Sequence, residues 1–175
     1  MTTMIVDTSH SEIAFSVRHM MFAKVRGVFK SWSATLDHEP SNPTKTAVQV
    51  DIETASIDTG DEKRDAHLRS DDFFSSERFP KITFKAKRVE SAGEGAYKIV
   101  GDLTLRDVTK ETTVDVHSTG KGTDPWGNQR YGFNAKAAIN RSEWGLKWNQ
   151  ALETGGVLVS DKVEIEAEVQ VIEKK

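Results

Sequence analysis

The sequence predicts an all-β protein of eight antiparallel strands, mostly in hairpin order, with a short helical lid. Three observations carry this. Eight separate runs alternate apolar and polar residues with period two, the mark of a strand with one buried face. No βαβ rhythm, internal repeat or low-complexity tract interrupts them. One stretch, Thr54 to Phe84, departs from the strand pattern and carries helix-start signals instead. Antiparallel sheets with one solvated face close into barrels or pack as sandwiches. Eight up-and-down strands make a barrel whose interior is filled by side chains or holds one small ligand. A single domain over residues 1–175 is expected.

Met4-Ile5-Val6 is a short apolar entry. The first run sets Ile13, Phe15 and Val17 against Ala14, Ser16 and Arg18, and His19 shares the inward parity. His19 to Phe22 reads as a strand end with a turn. The second run, Val25 to Leu36, slips phase near Gly27, because Val25 and Phe29 share one parity while Val28, Trp32, Ala34 and Leu36 share the other. A glycine at a phase slip predicts a bulge or bend. Pro40-Ser41-Asn42-Pro43 is a turn, and Val48, Val50 and Ile52 make the third run. Ile82, Phe84 and Ala86 follow the lid, and Ser91 to Gly95 is a hairpin loop. Tyr97, Ile99, Gly101, Leu103 and Leu105 share the next face. Arg106 to Lys110 links to Thr112, Val114 and Val116. Thr123 to Asn128 is a strong turn, with Pro125 and Gly127 in favoured places. Tyr131 to Ile139 alternates, and Val163 to Val171 is the cleanest strand, with glutamates on its polar face.

In the lid, Thr59, Gly60 and Asp61 start a helix, with acids in the first turn where the helix dipole favours them. Ser70 reads as a second N-cap before Asp71 and Asp72. Pro80 then opens the next strand. Two short polar helices are therefore expected to present the adjacent Phe73 and Phe74 over one end of the β-structure.

Composition excludes several function classes. Lys+Arg 24 against Asp+Glu 27 gives a net charge of −3, which argues against a nucleic-acid binder. No run approaches a membrane-spanning helix, so no stable membrane insertion is expected. Cysteine is absent, which removes disulfides, thiol nucleophiles and thiolate metal sites. Met1-Thr2-Thr3-Met4 lacks a basic region followed by an apolar run, so the cytoplasm is the expected compartment.

The candidates for chemistry are sparse. His10, His19, His38, His67 and His117 show no metal-ligand spacing, and His38 reads as part of a polar turn and His117 as outward. The acids Asp58, Asp61, Glu62, Asp65, Asp71 and Asp72 read as a solvated helix face with caps, without the glycine and spacing of a calcium loop. No metal, cofactor or catalytic residue is expected. The aromatics are more telling. Trp144 and Trp148 sit in a long link from Arg141 to Asp161, whose Leu146, Leu152, Val157 and Leu158 require packing. Link and lid either plug the barrel or wall the mouth of an apolar pocket. Small inward residues (Ala86, Gly101, Ala135, Ala137, Ala167) among large ones (Phe15, Phe84, Phe133) either leave room for a ligand or fit the taper of a packed interior.

Several blocks, in order along nearly the whole chain, resemble the YceI-like family. They are Asp7-Thr8-Ser9-His10-Ser11, Phe15-x-Val17-x-His19 and Gly27-x-Phe29, then Ser56-Ile57-Asp58-Thr59-Gly60. Arg64-Asp65-x-His67-Leu68-x-Ser70-x-Asp72-Phe73-Phe74 and Phe79-Pro80-x-Ile82-x-Phe84 follow. Gly101-x-Leu103-Thr104-Leu105-x-x-Val108-Thr109-Lys110, Asp124-Pro125-x-Gly127 and Asn140 to Leu146 complete the series. Asp107 stands where that family often has glycine, and Trp144 where phenylalanine is frequent.

The resemblance implies an extended eight-stranded antiparallel barrel similar to lipocalins, which binds a polyisoprenoid or isoprenoid quinone inside and is often a homodimer. Many members are periplasmic, so the expected cytoplasmic compartment would set this chain apart. On this reading the apolar tail lies along Phe15, Val17, Phe84, Leu103, Leu105 and Phe133. Phe22, Phe29, Phe73, Phe74, Trp144 and Trp148 complete the apolar wall. His19, Arg18, Arg130 or Arg141 meets a phosphate or carbonyl head, or Arg141 pairs with an acid in the lid. Two alternatives remain at this point. One is an enzyme acting on a small apolar substrate in the same cavity through His19 and His67. The other is a protein-interaction module that exposes Phe73, Phe74, Trp144 and Trp148.

Overall fold

The computed structural model describes residues 2–39, 41–150, 152 and 158–173, so Pro40 and Val157 lie outside the described residues. Eleven strands appear among them: β1 (Thr2–Val6), β2 (Glu12–His19), β3 (Ala23–Phe29), β4 (Trp32–His38), β5 (Ala47–Glu53), β6 (Ile57–Asp58), β7 (Lys81–Gly93), β8 (Ala96–Leu105), β9 (Val108–Thr123), β10 (Gln129–Asn140) and β11 (Lys162–Glu173). The helix α1 spans Glu62–Arg69. β1 pairs with both β4 and β11, which closes the ring β1-β4-β5-β7-β8-β9-β10-β11 into an eight-stranded antiparallel barrel. β2, β3 and β6 extend the wall from β11.

The closure depends on the entry segment. β11 meets β1 through Val171 to Glu173 and β2 through Glu164 to Glu168, so β1 and β2 share one edge of it. The turn between them is fixed by Asp7, whose carboxylate accepts from the Ser9 backbone N–H and side-chain hydroxyl. Met4, at the junction of β4 and β11, is buried. The run Val25 to Leu36 is broken at Lys30 and Ser31, whereas Gly27, where a bulge or bend is expected, stays in register opposite Phe15. Gly27 itself serves a close approach. A Cβ there would stand 2.5 Å from Phe15 Cζ, so the bare backbone is what lets the Phe15 ring lie across it.

The lid forms one helix. Asp61 caps it by accepting from the Arg64 N–H, and the Asp65 carboxylate, buried beneath, accepts from the Thr59 N–H and hydroxyl. The second helix expected after Ser70 does not form. Ser70 is instead the C-cap of α1, and Phe74 N–H bonds back to Leu68 O and Ser76 N–H to Arg69 O. Those bonds turn the chain at 71–74 and leave no carbonyl ladder to propagate a helix. Arg106 pins this turn to the barrel by donating to Asp71 O and Phe73 O, both at 3.0 Å. The acids of the segment have structural partners: Asp58 with Lys30, Asp71 with Ser75, and Asp72 with His67.

The hairpin turns are tighter than the sequence suggests. β7 runs through to Gly93, leaving Glu94 and Gly95 as its turn. Arg106 and Asp107 alone join β8 to β9, both with left-handed backbone (φ 49° and 63°), a turn that usually takes asparagine or glycine.

Candidate functional site

The inward faces of the barrel do not meet. Phe15, Val17, Val50, Phe84, Phe133, Val163, Ile165 and Ala167 all point inward, yet each stays only half-buried. Their remaining surface faces an internal cavity of about 460 Å³. The cavity walls are apolar almost throughout. On β11 they run from Val163 to Val171, about 26 Å along the strand, so the space is long rather than round.

Of the residues assigned to an apolar tail, Phe15, Val17, Phe84, Leu103, Leu105 and Phe133 line the cavity, and so do His19, Phe29, Phe73, Phe74 and Trp148. The lid and the link come together there. Phe73 and Trp148 have ring centroids 5.4 Å apart, and His67 stands edge-on to both, at 5.1 and 4.6 Å. Phe74 meets Phe29 edge-on, and Phe29 meets Phe15. Two assigned apolar residues fall outside the lining. Phe22 is 76% exposed at the tip of the β2–β3 hairpin, because the turn carries it past the strand ends. Trp144 is buried in the wall instead, where its indole N–H donates to Leu103 O at 2.9 Å. Phe73 and Trp144 are both buried, which removes the exposed patch that a partner-binding surface on these aromatics needs.

The three arginines fare differently. Arg18 lies exposed on the outer face of β2. Arg130 is held by Asp7 and Asp124, each at 2.8 Å, beside a separate polar cleft of about 290 Å³. Arg141 does line the cavity and is only 5% exposed. It pairs with no acid of the lid. Its guanidinium donates to Ser160 O, Leu146 O and Val159 O and lies over the Phe73 ring, so it ties the long link to the barrel end. Burial pushes its pKa down, against an opposing pull from Asp161.

Sequence reasoning missed His38. It ends β4 rather than sitting in a turn, lines the cavity, bonds Thr46 at 3.0 Å and packs edge-on to Tyr131 and Phe133. Its parity with Trp32, Ala34 and Leu36 was the available signal. Burial lowers its pKa, so the ring is neutral at neutral pH. Thr112, also in the lining, carries a buried hydroxyl with no hydrogen-bond partner. Among the described residues no group of three or more His, Cys, Asp or Glu is placed to hold a metal ion, and no helix is long and apolar enough to cross a membrane.

Closed antiparallel barrel, helical lid and long apolar lumen define a lipocalin-like binding architecture. A profile of the YceI-like domain matches residues 5–171. A UPF0312 protein of Staphylococcus epidermidis is 40% identical over 171 residues, 97% of each chain, and one of Staphylococcus aureus 37% over the same span. The chain belongs to the YceI-like family. Among solved structures, Burkholderia cenocepacia BcnA superposes with a TM-score of 0.83 at 25% identity, over 94% of this chain and 98% of that one. The Campylobacter jejuni YCEI protein gives 0.79 at 30%, over 90% of each. A polyisoprenoid binding domain from Saccharophagus degradans gives 0.71 at 14%, over 99% of this chain and all of that one.

Proposed function

We propose that the protein binds a long apolar isoprenoid-type lipid, a polyisoprenoid or an isoprenoid quinone, in its lumen, and carries or stores it without covalent chemistry. The lumen is the observation that carries this reading. An unfilled apolar void costs about 24 cal/mol per Å³ in the leucine-to-alanine series of T4 lysozyme. At that scale about 460 Å³ left empty forgoes on the order of 10 kcal/mol, as much as a whole domain's net stability. An apolar chain lying along Phe15, Phe84 and Phe133 offsets that loss. A flexible chain suits the long shape of the space better than a compact ligand does.

Arg141 is the head-group contact this reading favours. It is the one of the three proposed arginines on the lumen wall, and its hydrogen-bond acceptors are neutral carbonyls. A phosphate or quinone oxygen beside it gains a charge-assisted hydrogen bond. Family membership supports the ligand class. The Saccharophagus degradans domain supports the fold, and its ligand remains its own at that identity. The reading takes the whole chain as one domain, a cytoplasmic homodimer with no cofactor.

Native mass spectrometry of the purified protein, before and after solvent extraction, tests this. The expected result is a bound isoprenoid that extraction removes and added isoprenoid restores. A protein that purifies empty and ignores added isoprenoids refutes it.

A further inference from the structure

The β2–β3 hairpin ends in three consecutive large apolar residues that stand exposed. Met20, Met21 and Phe22 are 42%, 55% and 76% exposed. Met20 and Met21 also hold left-handed backbone, φ 54° and 69°, where asparagine and glycine are far more at home. A turn needing only solubility and geometry has no use for methionine at either place. Below the tip, Arg18 stands directly opposite Lys24 on the exposed face. Like charges opposed across a ladder are unfavourable unless an anion meets them. The next cation along, Arg26, is already held by Glu12 at 2.6 Å. Neither Arg18 nor Lys24 has an ion-pair partner among the described residues.

We propose that this hairpin docks the lid end of the barrel on an anionic phospholipid surface, with Met20, Met21 and Phe22 entering the interface and Arg18 and Lys24 meeting headgroups. Apolar tip and cationic collar match the two layers of such a surface in order. The position is apt. Met20 N–H donates to Leu158 O at 2.8 Å and His19 bridges to Val159, and His19, Leu158 and Val159 all line the lumen. The docked tip therefore lies one residue from the cavity wall, where an apolar chain can pass between bilayer and barrel with little exposure to water. The chain carries a net charge of −3, so attraction to an anionic layer falls to the hairpin's own cations, Arg18 and Lys24. A second copy is a poorer occupant, because two tips meeting would oppose their cationic collars.

The test is sedimentation of the full chain with phosphatidylcholine vesicles, with and without phosphatidylglycerol, over a salt series. The wild type should bind the anionic vesicles, and bind them less as salt rises. Met21→Ser with Phe22→Ser should weaken binding at least tenfold. Arg18→Gln and Lys24→Gln should each cost about fivefold on anionic vesicles and nothing on neutral ones. Circular dichroism and lumen occupancy by native mass spectrometry should stay unchanged in all variants, which ties any loss to the surface. No binding of the wild type overturns the proposal, as do tip variants that bind like the wild type. A dimer that the tip variants dissociate, with no affinity for vesicles, assigns the tip to a second copy and also overturns it. Docking and cargo separate cleanly: vesicle binding with a lumen that never takes an isoprenoid supports docking and removes the carrier reading. A loaded lumen without vesicle binding does the reverse.

Discussion

Replacing Ala167 with phenylalanine puts a ring into the middle of the lumen. Ala167 faces inward on β11, between Ala135 on β10 and Ile13 on β2, and all three line the cavity. An apolar cavity of about 150 Å³ accommodates benzene, so the ring takes about a third of the space. At about 30 Å³ per water-sized group the lumen of about 460 Å³ holds about fifteen carbons, and the ring displaces about five. Each buried methylene is worth about 0.8 kcal/mol, which puts the loss at up to about 4 kcal/mol, or about a thousandfold in Kd. Titration with a short isoprenoid alcohol, followed through the fluorescence of Trp148 beside Phe73, reads this. Stability moves the other way: a ring entering empty apolar space leaves the melting temperature unchanged or raises it. In a packed interior the same substitution overpacks and destabilises by about 1–3 kcal/mol. Unchanged affinity in a folded variant, or a marked loss of stability, would refute the reasoning.

Three further outcomes follow from the fold. Trp144→Phe removes the indole bond to Leu103 O and should cost about 1 kcal/mol in urea unfolding, with isoprenoid affinity unchanged because Trp144 is off the lumen. Asp107→Gly removes a side chain from a left-handed position (φ 63°) and should raise stability by up to about 1 kcal/mol. Ser9, Arg130 and His10 hold the Asp7 carboxyl well below its ordinary 3.8. Burial pushes the Asp124 carboxyl up, but the Asn128 N–H and Arg130 outweigh it and bring it to about 2. Both carboxyls are lowered on folding, so their stabilisation is complete above about pH 4 and is lost as pH falls below it. Thermal melts across that range should fall steeply in the wild type and more gently in Arg130→Met.

Much of the fold was legible because alternation has one period and one meaning. The eight runs, the helix start at Asp61 and the inward parity of His19 all follow from residue spacing. Closure was not legible, because it rests on a five-residue strand sharing an edge with β2, and pairing between distant segments leaves no periodic trace. The glycine at position 27 marked a special backbone, but only coordinates separate a bend from a ring lying across it. The lid's second helix failed because Ser70 can cap either end of a helix, and the return bonds to Leu68 and Arg69 decided which. For the site, residue types and parity found most of the apolar wall. They could not rank the arginines, since a guanidinium reaches far and its partners depend on closure: Arg130 went to two carboxylates, Arg141 to carbonyls at the lumen wall.

The most direct measurement is a crystal structure of the protein as purified, read for density inside the barrel. A hollow apolar lumen predicts a continuous chain of density along Phe15, Phe84 and Phe133, with those rings held against the wall. Rings turned inward to meet one another, with no space between β11 and the opposite strands, would contradict it.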